Sequence, residues 1–338
     1  MVRSRPSRRG RQPAGQGRDD DAYAGQPVGA PRGCGSRRKG ESFTVARERC
    51  VIQRALGDDS RFERRSGKFV HEIAGITSRV ADDRLALFAA SATDEFRELF
   101  DFLVSMQLYS IVPSELRRLQ PPDAGDVLRE DGANAAAVLK RLQDGDNDRY
   151  ERVCSLLGAA VPGIQGAQHK SFGGQFETVE FRQDVGQKHP WTFDALNVSD
   201  GTLRMLGLLL AVYQLGPVSV LGIEEPEATV HPAVTEQILE VLRDASRLRQ
   251  VLVTTHSPDL LDFAGIDEGW LRVVTNPQNA TLIAPLSETS RDAVRHHLFT
   301  TGELMRSGEL TGDTEGATER ANQLRLFGPI DAARIAAD

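Results

Sequence analysis

The sequence predicts an α/β fold, a parallel sheet flanked by helices with a helical insertion, from three observations. Residues 218–255 read as strand, helix, strand; residues 94–157 carry helical periodicity; and both strands of the first unit end in polar, chemically capable groups. Val218 to Ile223 (VSVLGI) is a short apolar run between Gly216-Pro217 and Glu224-Glu225-Pro226, the pattern of a strand buried on both faces. Pro232 suits the first turn of a helix that runs to about Leu248, with Val234, Ile238, Leu242, Ala245 and Leu248 on one face. Gln250 to Thr255 (QVLVTT) is the next strand, so the β-α-β crossover should be right-handed.

The rest of the chain is placed around that unit. From Phe176 onward the pattern is read as alternating strand and helix, hence a parallel sheet. Asp94 to Leu108 (DEFRELFDFLVSMQL) sets Phe96, Leu99, Phe100, Leu103, Met106 and Gln107 at helical spacing, and two more amphipathic helices follow near Asn134 to Leu142 and Arg149 to Leu157. The segment VPSELRRLQPPDAGD between them has the Pro, Gly and Asp content of a surface loop. Short strands are expected between Glu41 and Ala90, at Phe43 to Val45, Val51-Ile52 and Lys68 to Ile73. Residues 1–40 are Arg-, Gly- and Pro-rich with almost no apolar side chains, and are expected to be disordered.

Bulk numbers narrow the class. At 338 residues, 40% hydrophobic and 26% charged, the chain fits one large α/β domain with an insertion or two modest domains. Cys34, Cys50 and Cys154 form no CxxC pair, which argues against a disulfide framework or zinc site and fits a reducing cytoplasm. The net charge of −7 is uneven: residues 1–40 hold ten Arg/Lys against three Asp, +7, leaving −14 on the other 298 residues. No overall basic field draws the folded part to DNA, so a DNA contact needs a local patch, a partner or the N-terminal segment. Met205 to Leu215 is far shorter than the roughly 20 residues of a membrane span.

In open α/β sheets ligands bind beyond the carboxyl ends of the strands. There the first strand presents Glu224-Glu225 and the second His256. Nucleotide hydrolysis needs one carboxylate to orient Mg²⁺ through its water shell and one base to polarise the attacking water, roles that fall to Glu224 and Glu225 in turn. A lone Glu-Glu is most often a solvated acidic turn. Here it has company: His256 stands at the neighbouring strand end, positioned to hydrogen-bond a γ-phosphate. Ser199-Asp200-Gly201-Thr202 opens the preceding helix with backbone N–H groups, a hydroxyl and a glycine, the parts of an anion site.

Three segments, LNVSDGTLRMLGLLL (196–210), VSVLGIEEPEATVHP (218–232) and QVLVTTHSPDLL (250–261), resemble in order and spacing the signature motif, Walker B with D-loop, and H-loop of ABC-class ATPases. EEPE followed by HP, and THSP, are similar to the AAA-type ATPases grouped with the RecF, SMC and overcoming-lysogenization-defect proteins. YSIVPSELR, EDGANAAAVLKRL and TGELMRSGEL extend the likeness to about residues 60–312. The resemblance implies a P-loop NTPase-like ABC ATPase head that binds ATP and Mg²⁺. In it Glu224 is the Walker B metal residue, Glu225 the catalytic base, and His256 the switch histidine. Ser199, Asp200, Gly201 and Thr202 then serve the nucleotide of an opposing subunit, giving a homodimer around ATP, with DNA or a repair or defence protein as further partner. It also implies a division into 1–40 tail, 41–92 remnant of the N-terminal β part, 93–165 insertion, 166–312 C-terminal half of the head, and 313–338 tail.

The chain departs from that family in one respect: no GxxxxGK[ST] loop occurs. Of five lysines only Lys68 follows a glycine, Gly67, and Phe69 stands where Ser or Thr is needed. A truncated or frameshifted N-terminus is the expectation, and the chain alone is expected to be inactive. Two functions from different classes therefore stay open, an ATP-hydrolysing head working in DNA repair, chromosome maintenance or phage defence, and a non-catalytic interaction module. A transporter ATPase is disfavoured by EEPE-HP and by the lack of any cue for membrane coupling.

Overall fold

The computed structural model describes residues 44–53, 59–71, 80–186, 190–230, 232–263, 265–276 and 281–324. Residues 1–40, expected to be disordered, lie outside the described residues, as does His231. The first elements are a three-stranded antiparallel sheet, β1 (Arg47–Ile52), β2 (Ser60–Arg65) and β3 (Lys68–His71), followed by helices α1 (Leu87–Ala90) and α2 (Asp94–Val104). Phe62, Ala86, Ala90 and Phe96 form their small core, and Glu48 accepts hydrogen bonds from the Ala86 and Leu87 backbone N–H groups. Ser66 and Gly67, at φ 44° and 81°, make the tight turn joining β2 to β3. Gly67-Lys68 thus belongs to a hairpin, since two consecutive left-handed residues are what such a turn requires.

Strand β4 (Gln107–Tyr109) comes next, then α3 (Pro113–Arg117), α4 (Ala135–Gly145) and α5 (Asn147–Ala160). The reading of Asp94 to Leu108 as one helix is corrected here. Ser105 ends α2, and the next residues pair in parallel with a later strand, a ladder that offers their backbone groups partners a fraying helix end lacks. The segment read as a surface loop also carries α3, whose Leu116 is fully buried.

Antiparallel strands β5 (Ile164–Phe172), β6 (Phe176–Gln183) and β7 (Trp191–Asp194) precede α6 (Asp200–Tyr213), β8 (Val220–Glu224), α7 (Pro232–Ser246), β9 (Gln250–Thr254) and α8 (Pro258–Leu261). The parallel reading from Phe176 onward therefore holds only for β8 and β9. The three-residue connection between Phe172 and Phe176 makes β5 and β6 a hairpin, and a parallel pair needs a crossover of a dozen residues or more. A second antiparallel pair, β10 (Arg272–Thr275) and β11 (Leu282–Pro285), and helices α9 (Glu288–Arg295), α10 (Thr301–Ser307) and α11 (Thr314–Leu324) complete the described chain.

The parallel sheet has the order β4-β8-β9. Leu221 and Ile223 of β8 join one apolar core with Leu206 and Leu209 of α6, Ile238 and Leu242 of α7, and the buried faces of α4 and α5. On the opposite face, Leu108, Gly222 and Leu252 share one row of the register, and Leu108 and Leu252 are 61% and 50% exposed. Parallel sheets are ordinarily covered on both faces. Here the described elements cover one.

Candidate functional site at the carboxyl edge of the parallel sheet

The site grows out of β8 and β9. Their register sets Glu224 opposite Thr254, so both strands end at the same edge. The Glu225 N–H then donates to the Thr254 carbonyl at 2.9 Å, the last rung of the ladder. Glu225 itself adopts φ 43°, and Thr229, four residues on, φ 64°. Each non-glycine in this left-handed region costs about 1–3 kcal/mol and persists only where neighbours hold it. The neighbours are identifiable: Ala228 N–H donates to the Glu225 carbonyl, Val230 N–H to the Glu227 carbonyl, and Arg204 Nη1 to the Glu225 carbonyl at 3.1 Å.

His256 follows β9 and sets Nε2 3.6 Å from Glu225 Oε1, with both side chains open to solvent. Thr255 donates its hydroxyl to Glu227 Oε1 and accepts from the Ser257 N–H, while Ser257 caps α8 by accepting from Leu260 N–H. The β9 end is thus pinned to the turn after β8 through side chains. The turn Pro226-Glu227-Ala228-Thr229 (PEAT) reaches the start of α6 as well. A Cβ placed on Gly201 would lie 2.7 Å from the Thr229 carbonyl oxygen, so only glycine permits that approach. Ser199 is the N-cap of α6, its Oγ accepting from Thr202 N–H at 3.2 Å and lying 2.8 Å from Thr202 Oγ1. The carboxylate of Asp200 is ion-paired with Arg117 of α3, which also donates to the Val198 carbonyl.

Glu224, Glu225 and His256 therefore share one edge, and the Ser199–Thr202 helix start meets the turn that follows Glu225. Four residues that lie within the quoted motif segments, but to which the motifs assign no role, complete the arrangement: Arg117, Arg204, Glu227 and Thr255. Arg204 stands out in the sequence as the lone charge within the apolar run of α6. Burial pulls its pKa down, and the carboxylates of Glu225, Glu227, Asp200 and Glu224 oppose that shift. Arg204 Nε and Glu227 Oε2 are buried with no hydrogen-bond partner among the described residues, a cost of about 1–3 kcal/mol each that a bound polar group would relieve. A hollow of about 330 Å³, lined by Leu108, Tyr109, Gly222, Glu224, Leu252 and Thr254 among others, adjoins Glu224 on the bare face.

The sequence profile of a family described as "AAA domain, putative AbiEii toxin, Type IV TA system" matches residues 56–262. The chain belongs to this AAA-domain family. Among solved structures, an SMC ATPase from a study of ATP-driven dimerization and DNA-stimulated activation is 12% identical over 45% of this chain and 91% of its own, at TM-score 0.35. The Smc head domain with an extended coiled coil bound to the C-terminal domain of ScpA, from Pyrococcus furiosus, is 13% identical over 45% and 38%, at TM-score 0.34. The SMC head domain from Thermotoga maritima is 15% identical over 75% and 79%, at TM-score 0.35. No curated protein matches the sequence.

Membership of the family agrees with the AAA-type ATPase resemblance of the motifs. Among the described residues no three His, Cys, Asp or Glu side chains converge into a metal cage. Mg²⁺ does not need one, since it keeps several waters and takes one or two carboxylates together with substrate phosphates. Glu224, exposed at the strand end, fits that limited role.

Proposed function

We propose that this chain is the signature, Walker B and H-loop half of an ATP-hydrolysing head, needing a phosphate-binding segment to complete its nucleotide site. The observation that carries the proposal is the 3.6 Å approach of His256 Nε2 to Glu225 Oε1 at the shared edge of two parallel strands. In this proposal Glu225 accepts the proton of the attacking water, and the Glu225 backbone, fixed by Arg204 and Thr254, sets the direction of its carboxylate. His256 donates to the γ-phosphate. Glu224 holds the water shell of Mg²⁺, which when bound with ATP neutralises charge on the phosphates. Ser199, Gly201 and Thr202 offer a helix N-terminus and hydroxyls to the nucleotide of a second copy. Asp200, paired with Arg117, serves to fix that helix start. Participation in chromosome maintenance, repair or defence, and a cytoplasmic setting, follow the motif resemblance and the lack of disulfide spacing; no described helix is long and apolar enough to cross a membrane.

The test is steady-state ATP turnover by this chain and by a version extended with a strand, a GxxxxGK[ST] loop and a helix. The chain alone should be inactive, because its one Gly-Lys pair is spent in the β2–β3 hairpin. The extended form should turn over and lose at least about 100-fold on Glu225→Gln, the scale of a general base. Turnover that survives Glu225→Gln removes that residue from the chemistry. An extended form that stays inactive favours the interaction-module function.

A further inference from the structure

His256 is placed by its backbone. Its imidazole is 66% exposed and makes no hydrogen bond among the described residues, although Nε2 lies 3.6 Å from Glu225 Oε1. Both of its chain neighbours, by contrast, are tied. Thr255 donates its hydroxyl proton to Glu227 Oε1, and a lone pair of the same hydroxyl accepts the Ser257 N–H at 2.9 Å. A hydroxyl that donates while it accepts is polarised by both bonds, so each strengthens the other. Ser257 in turn caps α8. One carboxylate oxygen thus anchors the chain on either side of the histidine.

Glu227 is itself held. It lies midway between Glu225 and Thr229, the two left-handed residues of the turn, and its carbonyl accepts the Val230 N–H while the Glu225 carbonyl accepts the Ala228 N–H. The turn and the β9 end are joined twice, through the backbone from Glu225 to Thr254 and through side chains from Glu227 to Thr255. Two links between one pair of segments remove the rotation that a single link permits. The other oxygen of Glu227 is buried with no partner among the described residues. An apolar side chain would fill that space without the penalty, so packing alone does not account for a carboxylate there. We propose that Glu227 is a positioning residue, which through the Thr255 hydroxyl sets His256 against Glu225 while touching neither the attacking water nor the phosphate. The role in hydrolysis rests on the ATPase reading of Glu225 and His256; the placement of the imidazole does not.

Imidazole resonances of His256 in the nucleotide-free full chain, at fixed pH and assigned by their loss in His256→Gln, report that placement. Thr255→Val keeps the side-chain volume and deletes the hydroxyl, so the His256 resonances should shift and Ser257 amide exchange should rise about 10-fold, the scale of one lost hydrogen bond. Glu227→Ala should shift the same resonances, and the double variant should shift them no further than the larger single change, because the two side chains form one linkage. Thr255→Ser keeps the hydroxyl and should stay near wild type. In the extended form with the GxxxxGK[ST] loop, Thr255→Val should lower kcat on the order of 10–100-fold, the cost of a misplaced group, with KM for ATP within about two-fold and Thr255→Ser restoring most of the rate. Unchanged His256 resonances in both Thr255→Val and Glu227→Ala would overturn the proposal. So would additive shifts in the double variant, or a wild-type kcat in an extended form whose His256 signal has moved. An extended form with no turnover before any substitution would count against the ATPase reading instead, and the resonance comparison would still decide whether Glu227 places His256.

Discussion

Among the described residues, the two faces of the β4-β8-β9 sheet differ sharply. Behind Leu221 and Ile223 lies the continuous core of α6, α7, α4 and α5. Among the described residues, Leu108, Gly222 and Leu252 face a hollow of about 330 Å³, and β9 has no strand on its outer side. The carboxylates, the histidine and the α6 start stand at the edge where these faces meet. The sealed face accounts for stability and for the rigidity of the strand ends. Glu224 stands beside the face that the described elements leave bare.

The comparison breaks most readily in the core. Leu221→Ala removes packing on the sealed face and should lower unfolding free energy by about 3 kcal/mol. Leu252→Ala, on the bare face, should change it by no more than about 0.5 kcal/mol. Denaturant melts of the two variants check this; equal losses would mean the bare face is covered in solution. Next in size, Gly201→Ala drives a methyl against the Thr229 carbonyl and should cost about 1–3 kcal/mol. A melt indistinguishable from wild type would show that α6 does not meet the PEAT turn. Smaller still, Arg117→Ala loses the Val198 hydrogen bond and the Asp200 pair, both partly open to water, for about 1 kcal/mol. Faster amide exchange at residues 198–202 should accompany it, and unchanged exchange would detach α3 from the signature helix.

How much of this was legible beforehand depended on periodicity. β8, α7 and β9 announce themselves because VLGI and QVLVT are short apolar runs bounded by turn residues and α7 repeats its apolar positions every three to four. Glu224, Glu225 and His256 followed, because residues just beyond buried parallel strands share an edge. β4 was not legible: three residues, Gln107-Leu108-Tyr109, carry no period, and they continue the helical spacing of α2 until β8 offers them a ladder. α3 was hidden behind Pro and Asp, since a helix of five residues owes its existence to Leu116 being buried. Arg204 and Thr255 were within reach as polar residues inside or beside apolar runs, but their partners, the Glu225 carbonyl and Glu227, come from a different turn of the chain.

The central claim, a nucleotide site completed by a phosphate-binding segment and by a second copy's α6 start, is tested most directly by sedimentation velocity with and without Mg-ATP. This chain should sediment identically in both conditions, since a ligand stabilises only the state that binds it. The form extended with a strand, a GxxxxGK[ST] loop and a helix, and carrying Glu225→Gln to block turnover, should shift from monomer to dimer when ATP is added, and Ser199→Arg should abolish the shift. Dimerisation of the unextended chain on ATP addition, or an extended form that stays monomeric at saturating ATP, would contradict the account.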